Sequence, residues 1–266
     1  MSVTLRDLLE AGVHFGHQTR LWNPKMRPYI YGERNGVHII DLQKTAVNLL
    51  HATRFITATV AGGGTILFVG TKRAAQEIVQ EQAARCGGYH VTYRWLGGLL
   101  TNFQTAKKSI DRLVSLERQR DEGRFDAYTK KEALELTREI NKMDKSLGGI
   151  KTMKSLPAII FVIDPKREHI AIREARRLNI PVVALCDTNC DPEGIAHVIP
   201  GNDDAIKSIR LFTTAIADAA IEGAQLSRTR GGGEAVVADV DMGNVEVYRR
   251  RAEPAAEEGR EEFEEA

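Results

Sequence analysis

The stretch AIIFVIDPKREHIAIREARRLNIPVVALC, residues 158–186, decides the fold. AIIFVI (158–163) and VVALC (182–186) are apolar at every position, and the residues around 167–178 between them read as a helix. A strand with one face in water alternates polar and apolar residues, whereas a run apolar throughout is covered on both faces. The same unit recurs upstream. TILFV (65–69) reads as a buried strand, followed by Gly70-Thr71-Lys72 and a helix over 72–86 that stops at Gly87 and Gly88. VTYR (91–94) is a further strand and HVI (197–199) a short last one. A long helix begins near Asp203 with Asn202 as its cap, and carries Ile206, Ile209, Thr213, Ile216 and Ala220 on one face. Apolar strands alternating with helices predict a doubly wound α/β domain around a parallel sheet.

Ahead of that domain, residues 4–11 read as a short helix, with Thr4 as N-cap, Asp7 at the capping-box position and Gly12 as its stop. Residues 41–61 form a second helix, with Leu42, Ala46, Leu49, Thr53, Ile56 and Val60 on one face and three glycines, 62–64, ending it. Between them lies the loop-like HFGHQTRLWNPKMRPYIYGERNG (14–36), in which YIY (29–31) and VHII (37–40) flank GERNG as a β-hairpin. One segment breaks the strand–helix alternation. Residues 105–155 hold 13 basic and 9 acidic residues, too many for a core helix. Ala106, Ile110 and Leu113, then Ala133, Leu136, Ile140, Met143 and Leu147, repeat by threes and fours. This pattern predicts an inserted helical hairpin, a coiled-coil arm. The domain division is therefore 1–104 with 156–226 as the α/β domain, including a basic strap and hairpin at 13–40. The hairpin is 105–155, and 227–266 is a flexible acidic tail.

Composition narrows the function. The chain has 266 residues, 42% hydrophobic and 27% charged, enough for a real core. Three cysteines, Cys86, Cys186 and Cys190, do not form a disulfide framework and fit a reducing compartment. The apolar runs are too short to span a bilayer, and MSVTLRDLLEAG shows no signal core, so a cytosolic protein, or one made inside an organelle, with no membrane partner is expected. The net charge of +1 hides an asymmetry. Residues 223–266 carry 6 basic and 11 acidic groups, against 31 and 25 before them. A mildly basic body points to a polyanionic partner.

Four chemistries compete. His14 and His17, with Cys186 and Cys190, resemble zinc ligands by type, but the two pairs lie some 170 residues apart and read as packing residues. They would meet at a metal only if the N-terminal segment folds back across the sheet, and no metal is expected. Gly70-Thr71-Lys72 opens a helix as phosphate loops do, but Gly64 precedes the strand and the Walker spacing is not met. Asp164, Asp187, Asp191, Asp203 and Asp204 fall at or beyond strand ends, where α/β enzymes place their sites, yet each also suits a turn or a cap. No G-x-S-x-G or H-E-x-x-H motif occurs. The fourth chemistry is nucleic acid. Arg20, Lys25, Arg27 and Arg34 interleave with Phe15, Trp22, Tyr29 and Tyr31. RWLGGLLTNFQTAKK (94–108) adds Arg94, Trp95, Phe103, Lys107 and Lys108. Cationic groups pair with phosphates, and aromatic rings stack on exposed bases.

These same residues carry a family resemblance. GVHFGHQTRLWNPKMRPYIYGERNGVHIIDLQKT (12–45), RWLGGLLTNFQT (94–105), LPAIIFVIDPKREHIAIREARRLNIPVVALCDTNCDP (156–192) and IPGNDDAIKSI (199–209) closely resemble the bacterial small-subunit ribosomal protein two family. The similarity runs from about residue 4 to 222. It implies a flavodoxin-like three-layer α/β/α fold with a central parallel sheet and an inserted coiled-coil hairpin. It also implies a non-enzymatic role in the small ribosomal subunit, with no cofactor and no small-molecule substrate. Members of the family contact rRNA and neighbouring proteins between head and body, and help to dock small-subunit protein one. On physical grounds Arg20, Lys25, Arg27, Arg34, Arg94, Lys107 and Lys108 are the expected phosphate contacts, and for Trp22 and Trp95 two roles stay open, stacking on bases or holding their loops in shape.

Overall fold

The computed structural model describes residues 3–230. Its centre is a five-stranded parallel sheet: β4 (Ile66–Val69), β5 (Tyr89–Val91), β6 (Ile159–Ile163), β7 (Val182–Cys186) and β8 (His197–Pro200), in the order β5-β4-β6-β7-β8. The register runs straight across, with Phe68 opposite His90 and Phe161, and Phe161 opposite Val183. Because side chains alternate along a strand, the sheet feeds two separate cores. Ile66, Phe68, Ile159, Phe161, Ile163, Val183, Leu185 and Ile199 face one side. Leu67, Val69, Val91, Ile160, Val162, Val182, Ala184 and Cys186 face the other.

Helices cover both faces, as the unbroken apolar strands require. α2 (Leu42–Ala61), α3 (Arg73–Cys86) and α7 (Ile206–Arg230) bury Leu49, Ile56, Ile78, Val79, Ile209, Phe212 and Ile216 against the first face. The short α1 (Leu5–Glu10) adds Leu8 and begins with the Thr4–Asp7 capping box. On the second face sit α6 (His169–Arg177), α4 (Phe103–Asp121) and α5 (Lys130–Leu147). α4 and α5 are the charged insertion, but Ile110, Leu113 and Leu116, with Ile140 and Leu147, share their core with Val69 and Ile160 of the sheet. The insertion therefore covers the sheet. Arg112 bridges to Glu139 at 2.9 Å between its two helices.

The basic strap folds as a small antiparallel sheet of order β1-β3-β2: β1 (Phe15–Gln18), β2 (Ile30–Arg34) and β3 (Val37–Ile40). Asn35 and Gly36 have φ of 54° and 73°, the two left-handed positions of a tight hairpin turn. β1 occupies residues expected to be loop. FGHQ has little strand propensity of its own, and becomes a strand by pairing with β3.

Three boundaries differ from expectation. β5 is Tyr89–Val91 rather than 91–94, because its partner β4 ends at Val69 and Gly70 N–H donates to Val91 O to close the ladder. α7 begins at Ile206, after a turn in which Asn202 Oδ1 accepts from Asp204 and Ala205 N–H, and Ile206 is 59% exposed rather than on the core face. α7 also runs to Arg230, so residues 227–230 are helical; the rest of the expected tail, 231–266, lies outside the described residues. No helix among the described residues is long and apolar enough to cross a membrane.

Phe161 lies fully buried at the centre of the sheet. Phe161→Ala should lower stability by about 3–5 kcal/mol, read as a lower denaturant midpoint with an unchanged m-value.

Candidate functional site

All five parallel strands end on one edge, and the strap folds back onto it. His17 N–H donates to Thr188 Oγ1 (2.9 Å), Asn23 N–H to Thr188 O (2.8 Å) and Asn202 Nδ2 to Gly12 O (3.1 Å). At Gly16 the fit is close: a Cβ there would lie 2.6 Å from Thr188 Cγ2. This return brings His17 to the loops after β7 and β8. Its Nδ1 lies 2.9 Å from Asp187 Oδ2 and its Nε2 3.5 Å from Asp204 Oδ2. Lys72, after β4, reaches Asp203 Oδ1 at 2.8 Å and also Asp204.

Asp203 is almost fully buried, and its Oδ2 has no hydrogen-bond partner among the described residues. Burial, then the nearby Asp164 and Asp187, push its pKa up to about 7. The hydrogen bond to Asp187 raises that of His17 against the opposing effect of burial. The ligand atoms of His17, Asp187, Asp203 and Asp204 lie within 4.8 Å of one another, and Asp164, Cys190 and Asp203 form a second such group. One imidazole with carboxylates can hold a divalent cation such as zinc or manganese. The fold-back that a metal would need is thus present, but the donors brought together differ from the sequence pairs. His14 is not among them, and Cys186 lies fully buried, its thiol raised chiefly by burial.

A second cluster fixes the RWLGG loop. One carboxylate, Glu174 of α6, accepts from Trp95 Nε1 (3.1 Å), Gly98 N–H (2.8 Å), Leu100 N–H (3.0 Å), Thr101 N–H (3.1 Å) and Thr101 Oγ1 (3.2 Å). Burial opposes the charge on Glu174, but these donors outweigh it and hold the pKa below the ordinary value. Trp95 is buried, so its ring shapes the loop rather than presenting a face. Nothing in the sequence marks Glu174, the one acid of α6 among three arginines, as more than a surface charge; only the loop wrapping around it reveals its role.

The expected phosphate contacts take several places. Arg20, Arg27, Arg34, Arg94, Lys107 and Lys108 are all exposed, and none has an acidic partner among the described residues. Arg34 and Gln18 both lie opposite Val37, and Arg20 Nε donates to Gln18 Oε1 at 2.9 Å, so Arg20 and Arg34 share one end of the strap sheet. Lys25 differs. Its ammonium binds Asp191 at 2.9 Å and also Glu193, tying the strap to the loop after β7. Its charge is already matched within the chain.

Residues 8–223 match the family model described as ribosomal protein S2. The chain belongs to that family. It is 60% identical over 229 residues to the small ribosomal subunit protein uS2 of Sorangium cellulosum (strain So ce56), covering 86% of this chain and 82% of that one. It is 58% identical over 224 residues to the protein of the same name from Geotalea uraniireducens (strain Rf4), covering 84% and 88%. The ribosomal protein S2 family is structural and not enzymatic, and its match takes in the strap, the Glu174 loop and the acidic edge alike.

Glu174→Gln puts an amide donor among five donors, and should cost about 2–4 kcal/mol of stability with a shift in Trp95 fluorescence. The acidic edge makes a pH prediction. The folded chain keeps protons on Asp203 and His17 that the unfolded chain releases sooner, so both contribute stability at low pH that is lost as pH rises. For Asp203 the loss falls between its ordinary 3.8 and about 7. In chelating buffer Asp203→Asn should flatten the decline over that window, measured by urea melts at several pH values.

Proposed function

We propose that the chain is a structural constituent of the small ribosomal subunit, holding rRNA and neighbouring proteins together between head and body. The observation that carries this reading is the strap. It is a basic, aromatic segment folded into its own small sheet, anchored to the α/β domain through Thr188, Lys25 and Gly12, with Arg20, Arg27 and Arg34 left facing water. A rigid base with outward guanidinium groups suits the phosphate backbone of a folded RNA, since the side chains need little further ordering on binding.

In this reading Arg20, Arg27, Arg34, Arg94, Lys107 and Lys108 meet phosphates. Lys25 serves as the anchor of the strap. α4 and α5 form a coiled-coil arm whose base packs on the sheet and whose charged surface reaches partners. The protein also helps to seat small-subunit protein one, in the cytoplasmic ribosome. The family match and the relatives' name, small ribosomal subunit protein, support the place in the small subunit.

Sedimentation of a cell extract tests it: the chain should travel with small subunits, and a chain left at the top of the gradient would end the proposal. The triple variant Arg20→Glu, Arg27→Glu, Arg34→Glu should lower its occupancy in subunits at least several-fold with the thermal midpoint unchanged. Full occupancy of the triple variant would remove the strap from the RNA contact.

A further inference from the structure

The strand order β5-β4-β6-β7-β8 reverses direction at β4, so a crevice opens between the carboxyl ends of β4 and β6. A cleft of about 460 Å³ lies there, within the range of roughly 300–1,000 Å³ usual for small ligands. Thr71, Tyr93, Arg94, Arg167, Glu168 and Ile170 line it.

Its floor is already furnished. Glu168 is 3% exposed, and its Oε1 accepts from Thr71 N–H (3.1 Å) and from Thr71 Oγ1. Arg167 Nε donates to the same hydroxyl oxygen at 2.9 Å. The chain's own carboxylate thus occupies the strand–helix turn where a doubly wound enzyme would hold a phosphate. A phosphate on that spot would face a buried negative charge. The Oε2 of Glu168 takes no donor among the described residues and remains an acceptor at the floor.

The rim has the opposite character. Tyr93 is 56% exposed and Ile170 43%, an aromatic ring and an aliphatic chain left in water at the mouth of a cleft. Arg94 and Arg167 stand exposed beside them. An apolar face, an acceptor below and guanidinium groups at the rim call for a flat group that bears hydrogen-bond donors and is tethered to an anion. An unstacked nucleotide has these parts: a π-face, an exocyclic amino group and a phosphate.

We propose that this cleft receives a single unpaired nucleotide of RNA, its base against Tyr93, its amino group toward Glu168 and its phosphate on Arg94. The inference rests on the RNA-binding reading above, and it adds a base-reading site to a surface otherwise made of phosphate contacts. The acceptor floor favours adenine, cytosine or guanine over uracil, which has no exocyclic amino group.

Photo-crosslinking within intact small subunits tests it. Cells expressing the full chain with Ile170→p-benzoylphenylalanine supply the subunits, which are irradiated and their adducts mapped. The expected result is an RNA adduct at one nucleotide carrying an exocyclic amino group. Tyr93→Ala, at a position too exposed to unfold the domain, should raise the dimethyl sulfate reactivity of that region several-fold, read on subunits purified with the variant chain bound. Adducts to protein alone would make the occupant a peptide and overturn the proposal. So would full occupancy with no RNA adduct and no change in reactivity. A chain absent from subunits altogether would overturn the RNA-binding reading itself, and the gradient separates that result from the others.

Discussion

The fold depends on one constraint: five parallel strands with apolar side chains on both faces must be covered twice. Ile159, Phe161 and Ile163 point to one side and Ile160 and Val162 to the other, so neither face can be left to water. The crossovers must therefore supply helices above and below. α2, α3 and α7 meet the first demand. The second face has only the nine-residue α6 from regular alternation, and α4 and α5 complete it. This explains how an insertion so rich in charge remains part of the domain. Its inner positions cover the sheet, and its charge lies on what remains outside.

The same constraint gathers chemistry at one edge. Parallel strands end together, so the loops carrying Lys72, Asp187 and Asp203 converge without being near in sequence. Such an edge usually serves catalysis. Here much of it holds the chain together: Asp187 and Asp204 grip His17, Thr188 grips the strap backbone, and Glu168 bonds the turn after β4. In this member of a structural family much of the edge serves as an anchor, while Arg94 and Arg167 stay exposed at the cleft beside it.

Glu174 shows how a loop without secondary structure becomes rigid. Residues 95–101 present three backbone N–H groups, an indole and a hydroxyl to a single carboxylate, an arrangement more like an anion site than a loop. Charge-assisted hydrogen bonds of this kind are stronger than neutral ones, and several on one acceptor fix the loop's path. Arg94, at the start of that loop, and Asn102, at the start of α4, are positioned by it. The route from one buried acid to an ordered outer surface passes entirely through hydrogen bonds.

The sequence alone determined most of the strands and helices and the class of fold, because apolar periodicity, capping residues and glycine stops act over a few residues. The capping box at Thr4, the hairpin around Asn35-Gly36 and the buried β6 and β7 are local facts. The arginines of the strap were also legible as surface charges, since Arg20, Arg27 and Arg34 stay exposed. Tertiary structure alone decided the partners: that Lys25 meets Asp191, that His17 joins Asp187 rather than His14, that FGHQ becomes a strand, and that Glu174 commands a loop more than seventy residues away. Pairings of this kind depend on which loops the sheet brings to one edge, and that convergence exists only once both faces are packed.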